Sequence, residues 1–327
     1  MPLTVSTAPT DVPVVCAGVL VADHLSTPID HIPAEGELVM ADDLVLNIGG
    51  CAANAAMVLA RLGIRAMLCG KVGHDVFGRY IAETLESTGV DLHGLGVDRW
   101  RPTSQSLILN VKGQDRRFVH SFGANKGLCA PDLDGPIALR PKVVYLGGYL
   151  ILPGLDPEAL ADRFRRARAQ GTVTMLDVAT PGPADYLTAL RPVLAETDVF
   201  LPNADEAALI LGEADAVEQA LRFRGLGARR VVITRGGRGA VSVSEEQTLR
   251  VGPYPVEFVD GTGGGDAFDA GYIAGLLAGL DEVGCLKLAS AVGASCVRAV
   301  GTTAGIFSRD EADAFIAAHP LEIERIG

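Results

Sequence analysis

The chain has 327 residues, 48% of them hydrophobic and 5% aromatic, with 39 glycines and a formal net charge of −12. That length suits one large α/β domain or two ordinary ones, and the composition suits Ala/Val/Leu packing with tight turns. The acidic balance and the lack of any Lys/Arg block exclude a nucleic-acid binder, which needs a basic footprint, while leaving backbone N–H groups free to hold a nucleotide phosphate.

In chain order, 14–21 reads as a β-strand. The apolar run 12–22 is short and contains Gly18, so it reads as a buried strand and not as a signal peptide. Asp23 follows, at the carboxyl end of that strand, where a carboxylate can accept hydrogen bonds from two vicinal hydroxyls; a turn or cap aspartate is the plainer alternative. Residues 23–46 are polar and irregular. Gly49 and Gly50 then open an alanine-rich helix over 51–62, stopped by Gly63. The glycine pair lets a small ligand approach the backbone. Asn54, on the first turns of the helix, offers a donor and an acceptor suited to a sugar hydroxyl, or satisfies a backbone group inside the helix.

A strand is expected over 66–72 and a helix capped by Asp75 up to Gly89. Two alternating runs, 104–111 and 116–122, read as a hairpin. Strand and helix then alternate: strand 142–146, helix 157–169, strand 173–177, strand 198–201, helix 203–211, helix 213–226 and strand 230–234. Two short strands and a helical C-terminal third complete the chain. This rhythm predicts an α/β fold with a mostly parallel central sheet and helices on both faces. Residues 20–48 and 103–123 break it and read as a small β lid. With no repeat and no interdomain linker, a single domain over 1–327 is expected.

Asn203 and Glu206 suit a capping box at the head of a helix, or Glu206 could stand near a Mg²⁺ through water. Thr234, Gly236 and Gly239 belong to the turn TRGGRG, which is either a hairpin turn or a nucleotide-contacting loop. The most informative stretch is DGTGGGD, where Gly263, Gly264 and Gly265 run into Asp266 and a helix expected over 267–280. Glycines bare the backbone N–H groups, and a helix N-terminus adds partial positive charge, so the stretch suits a phosphate. A carboxylate there repels the anion unless it serves as a general base; an ordinary helix N-cap is the alternative. The six cysteines form no CxxC pair and read as free thiols of a reducing cytosol. No run of about 20 apolar residues marks a membrane span.

The motifs GGCAAN, NADE, TRGGRG and DGTGGGD occur here in one order, and this set resembles the ribokinase-like (PfkB) carbohydrate kinases over nearly the whole chain. The resemblance implies an ATP-dependent kinase acting on a hydroxyl of a small carbohydrate. It implies Asp266 as base, Gly263, Gly264 and Gly265 as anion hole, and Asp23, Gly50 and Asn54 on the sugar. Asn203, Thr234, Gly236 and Gly239 would contact ATP, Ser290 would fall near the adenine, and Glu206 would organise Mg²⁺. Asp260 and Thr262 match positions that bind a monovalent cation such as K⁺. Cys51 stands where ribokinases carry Lys, their substrate-binding Glu is unmatched near 147–149, and Gly305 stands for a serine; these differences weigh against ribose and against potassium activation. A nucleoside kinase on the same fold is the nearest alternative, and a non-catalytic sugar-binding regulator a further one. Exposed lid edges could pair in a homodimer.

Overall fold

Val14 and Cys16 point into one apolar core and Val15 and Ala17 into another, and all four are fully buried. Side chains alternate across a strand, so a strand apolar on both faces must be covered on both. That requirement sets the architecture.

The computed structural model describes residues 12–114 and 117–326. In chain order it forms β1 (Val14–Gly18), β2 (Val21–Ser26), β3 (Leu44–Gly49), α1 (Cys51–Arg61), β4 (Ala66–Gly73), α2 (Val76–Ser87), β5 (Asp91–Asp98), β6 (Gln105–Leu109) and β7 (Arg117–Ser121). There follow α3 (Asp134–Ala138), β8 (Val143–Gly147), α4 (Pro157–Ala169), β9 (Val173–Leu176), α5 (Leu187–Leu194), β10 (Val199–Phe200), α6 (Ala204–Leu211), α7 (Ala216–Gly225) and β11 (Arg230–Thr234). The last third adds β12 (Ala240–Val243), β13 (Thr248–Val251), α8 (Gly264–Leu277), α9 (Glu282–Cys296), α10 (Arg309–Ala318) and β14 (Ile323–Arg325).

Among the described residues the main sheet has ten strands in the order β14-β13-β12-β11-β10-β9-β8-β1-β4-β5. The pairs from β5 to β11 are parallel, and β12, β13 and β14 add an antiparallel edge. Helices α1, α8 and α9 contribute to one core and α4, α5 and α7 to the other. Helices α8 and α9 touch closely because α8 carries glycine where they cross: a Cβ on Gly271 would lie 2.8 Å from the Ala289 Cα, and one on Gly275 would lie 2.8 Å from the Cys285 Cα.

A second sheet, ordered β3-β2-β6-β7, forms the lid. The expected strand over 14–21 is broken at Gly18, where φ is +133° and a Cβ would strike the Gly147 carbonyl at 2.1 Å. The chain leaves the main sheet there and enters the lid as β2. Polar groups of the crossing still need partners. Buried Asn125 supplies them, accepting from the Leu20 N–H at 3.3 Å and donating to the Leu20 carbonyl at 2.9 Å.

Other boundaries also differ from expectation. Helix α8 begins at Gly264, so its first turn contains Gly264 and Gly265, which were expected to precede it. Helix α7 begins at Ala216 and not at 213, because the Asp215 carboxylate caps it by accepting from the N–H groups of Val217 and Glu218. Strands β5 and β14 and helices α3 and α5 were not expected. The hairpin of β6 and β7 is antiparallel as anticipated, and residues 115 and 116 of its expected extent lie outside the described residues.

Candidate active site

Parallel sheets present ligand sites at the carboxyl ends of their strands. Here Asp177 follows β9, Asn203 follows β10 and Thr234 ends β11, with Asn203 and Thr234 joined by an isolated parallel bridge. The heads of α1 and α8 meet at the same end of the sheet, where Asn54 Nδ2 donates to Asp266 Oδ2 at 2.7 Å across 212 residues of chain.

Gly263 precedes α8 in the left-handed region, with φ of 74°, and no side chain caps this helix. A Cβ on Gly263 would come within 2.9 Å of Thr302. The glycine therefore allows both the turn and the close approach of the 302 loop. Asp266 lies in the first turn of α8 but does not cap it. Its carboxylate instead accepts from Asn54, with the Cys51 thiol close by. Burial raises its pKa, and the Asn54 hydrogen bond and the neighbouring Cys51 thiol pull it back.

Cys51, Asp177 and Asp266 place their ligand atoms within 4.8 Å of one another. Asp177 accepts from the Gly148 N–H at 3.2 Å, and Asp269 accepts from the Tyr145 hydroxyl at 3.0 Å. Burial, followed by the neighbouring carboxylates, pushes both Asp177 and Asp269 well above the usual carboxylate range. Glu206 rises to about 7, mainly by burial, with the Asp266 charge adding to it. Among the described residues no lysine or arginine offsets these acids. The cluster has a deficit of positive charge, which suits a Mg²⁺ arriving with a polyphosphate. Glu206 also completes the capping box of α6: Asn203 Oδ1 accepts from the Glu206 N–H at 2.9 Å, and Glu206 Oε2 from the Asn203 N–H at 3.0 Å.

Asp23 was expected beyond the first strand; it lies inside β2 of the lid, opposite Asn47 and Ser106. A Cβ on Gly49 would fall 1.9 Å from Asp23 Oδ2, so glycine lets this carboxylate lie across β3. Asp23 rises to about 6, chiefly by burial, with the Asp266 charge contributing. Gly50, with φ of 98°, passes beneath the Val19 carbonyl, which a Cβ would meet at 2.4 Å.

Gly236 and Gly239 shape the turn between β11 and β12. A Cβ on Gly239 would meet the Val251 carbonyl at 1.9 Å, whereas nothing lies within 4 Å of one on Gly236. Ser290 is partly exposed on α9, next to Ala289. Asp260 Oδ1 accepts from the N–H and hydroxyl of Thr262 at 3.0 and 2.7 Å, and Oδ2 from the Gly301 N–H at 3.0 Å. This carboxylate ties the loop before α8 to the loop after α9.

Sequence reasoning missed Asp177 and the part played by Cys51. The readable signal for Asp177 was its place at the carboxyl end of a strand in a βαβ rhythm. A cavity of about 950 Å³ lies instead at the amino ends of β9 to β11. Its arginines are largely engaged by acids, with Arg168 3.0 Å from Glu196 and 3.2 Å from Asp198, and Arg230 3.1 Å from Glu282. Nothing there resembles the apparatus around Asp266.

The pfkB family carbohydrate kinase model matches residues 14–308, and the chain belongs to that family. It is 29% identical over 250 residues to a sugar kinase of Archaeoglobus fulgidus, covering 76% of this chain and 98% of that protein. It is 27% identical over 296 residues to the 5-dehydro-2-deoxygluconokinase of Clostridium perfringens, covering 82% and 84%. Its fold superposes on Arabidopsis thaliana ribokinase, solved with ribose and ATP, with a TM-score of 0.80 at 22% identity, covering 94% of this chain and 99% of that one. The enzyme is a phosphotransferase with a sugar hydroxyl as acceptor. Among the described residues no helix is long and apolar enough to cross a membrane.

Proposed function

We propose that this kinase transfers the γ-phosphoryl of ATP to a hydroxyl of a small carbohydrate, with Asp266 as general base. The observation that carries this reading is a carboxylate at the uncapped, glycine-lined head of a helix, oriented by Asn54 and not used as a cap. Asn54 adds to it: the residue is buried at 4% exposure, and its Oδ1 has no hydrogen-bond partner. A buried acceptor left unpaired costs free energy, and a substrate hydroxyl would satisfy it.

In this reading the sugar lies beneath the lid, held by Asp23, Asn54 and the backbone at Gly50. Asp266 takes the hydroxyl proton as the oxygen attacks, and the N–H groups of Gly263, Gly264 and Gly265 stabilise charge on the phosphoryl oxygens. Asn203, Thr234, Gly236, Gly239 and Ser290 contact the nucleotide. Glu206 holds Mg²⁺, whose charge would neutralise the phosphates when bound. Closure of the lid excludes water and suppresses ATP hydrolysis. K⁺ would belong between the loops that Asp260 and Thr262 join. Edge strands β3 and β7, with Leu44 and Val119 exposed, would pair lids in a homodimer, and six free thiols fit a reducing cytoplasm.

The test is sugar-dependent ADP release across a panel of candidate sugars, neutral and acidic, and adenosine, with Mg²⁺ and with or without K⁺. Turnover on a sugar supports the reading. Turnover on adenosine alone makes the chain a nucleoside kinase, and no release with any acceptor leaves a binding protein.

A further inference from the structure

We infer that Cys51, Asp177 and Asp266 form a binding site for a thiophilic divalent cation such as Zn²⁺, separate in chemistry from the Mg²⁺ of the reaction and able to shut the enzyme off. Three observations converge on it. First, one sulfur and two carboxylate oxygens lie within 4.8 Å of one another, a spacing that one ion can bridge. They come from three elements, the head of α1, the end of β9 and the first turn of α8, so the packed core holds them together. Second, the donor set is mixed. Thiolate favours Zn²⁺ and its soft neighbours, whereas Mg²⁺ takes oxygen ligands in octahedral geometry. Third, Asn54 lies one helical turn from Cys51 on α1 and is hydrogen-bonded to Asp266, and its buried Oδ1 is unpartnered. A water would supply a fourth donor for tetrahedral coordination, and Asn54 Oδ1, buried and free beside Asp266, is open to hydrogen-bond it.

The surroundings favour the ion. Asp269 and Glu206 add negative charge and no basic side chain answers it among the described residues. On binding, the Cys51 sulfur exchanges its proton for the metal and the proton leaves to solvent. Asp266 is then a ligand and can no longer accept a proton from a hydroxyl. Inhibition rests on the kinase reading above; metal binding does not.

The experiment uses the full chain without nucleotide and follows Cd²⁺ or Co²⁺ by its thiolate-to-metal charge-transfer absorption. The expected result is a band that saturates at one equivalent, persists in Cys129→Ser, is lost in Cys51→Ser, and forms at least 10-fold more weakly in Asp177→Asn. X-ray absorption of the wild-type Zn²⁺ complex should show one sulfur at about 2.3 Å with oxygens at about 2.0–2.2 Å, which keeps the test open if a variant fails to fold. No band at one equivalent, a band surviving in folded Cys51→Ser, or a shell with no sulfur or several would overturn the site. In the kinase assay, Zn²⁺ should inhibit in step with metal occupancy despite excess Mg²⁺. Full turnover with the site occupied overturns the inhibitory role, and absence of turnover with every acceptor defeats the kinase reading while leaving the metal titration to be judged alone.

Discussion

Asn54 and Asp266 form a hydrogen bond in the site, and Asp266 can be tested directly. Asp266→Asn keeps the shape and removes the base. Turnover should fall roughly 10²–10⁴-fold, equivalent to about 3–5 kcal/mol of barrier, with nucleotide affinity retained. Wild-type turnover in a folded Asp266→Asn would remove the residue from the role. Glu206→Gln keeps the size of the side chain and an oxygen acceptor for α6, so the helix cap is retained. Its Mg²⁺ requirement should rise several-fold in a titration at fixed ATP. Because Glu206 ionises only near pH 7, wild-type kcat/KM should climb through that pH, and the limb should flatten in the variant. A pH profile identical to wild type would assign the limb to another group.

At the scale of elements, a glycine lets one strand end pass close under another. Gly239 sits under the Val251 carbonyl at a φ of 78°, so Gly239→Ala should cost roughly 1–3 kcal/mol of stability through strain and overpacking. The surviving folded enzyme should keep much of its kcat with a raised KM for ATP; an unchanged KM for ATP would limit Gly239 to shaping the turn. The lid has its own anchor in Asp75. Its carboxylate accepts from the Gly78 N–H at 2.8 Å, the Thr103 N–H at 2.7 Å and the Thr103 hydroxyl at 2.6 Å. It thus caps α2 and pins the strand entering β6. Asp75→Ala should lose about 1–2 kcal/mol in denaturant unfolding from the cap and should raise KM for the sugar more than KM for ATP, because Thr103 leads into the strand that pairs with Asp23. Equal effects on both constants would limit Asp75 to a cap.

At the scale of the molecule, the buried acids link folding to pH. Asp23 and Glu206 have folded pKa values near 6 and 7, above their ordinary 3.8 and 4.5. Between those limits the native state holds more protons than the unfolded chain. Their contribution is therefore full below about pH 4 and is lost as pH rises through about 7. Asp75 and Asp98 are shifted downward and act with the opposite sign, so the useful measurement is a difference. Calorimetry from about pH 4 to about pH 8 should find that the double variant Asp23→Asn, Glu206→Gln gains melting temperature over wild type as pH rises. A constant difference across that range would show that the two acids titrate normally.

Local rules reach as far as local causes. Helix α4 was legible because Asp156 caps it, Pro157 opens it and Leu160 and Phe164 repeat at helical spacing. Strand β5 was not, because Gly94 and Gly96 have little strand propensity and it exists by pairing with β4, whose Leu68 carbonyl a Cβ on Gly94 would meet at 2.5 Å. Within the site, the glycine run and the residues Asp266, Asn54 and Asp23 could be picked out from residue type and position, because bare amides and a carboxylate carry their chemistry with them. The sequence by itself determined the alternation of strands and helices through the middle of the chain, the places where the backbone must be free of side chains, and the glycine run with its carboxylate. Only the tertiary structure decided that Asn54 lies on Asp266, that Asp23 belongs to a lid strand, and that Cys51 and Asp177 complete an acidic cluster. Those contacts join residues remote in the chain. They arise from burying two apolar faces of one sheet, a property of the whole packed molecule that no local pattern contains.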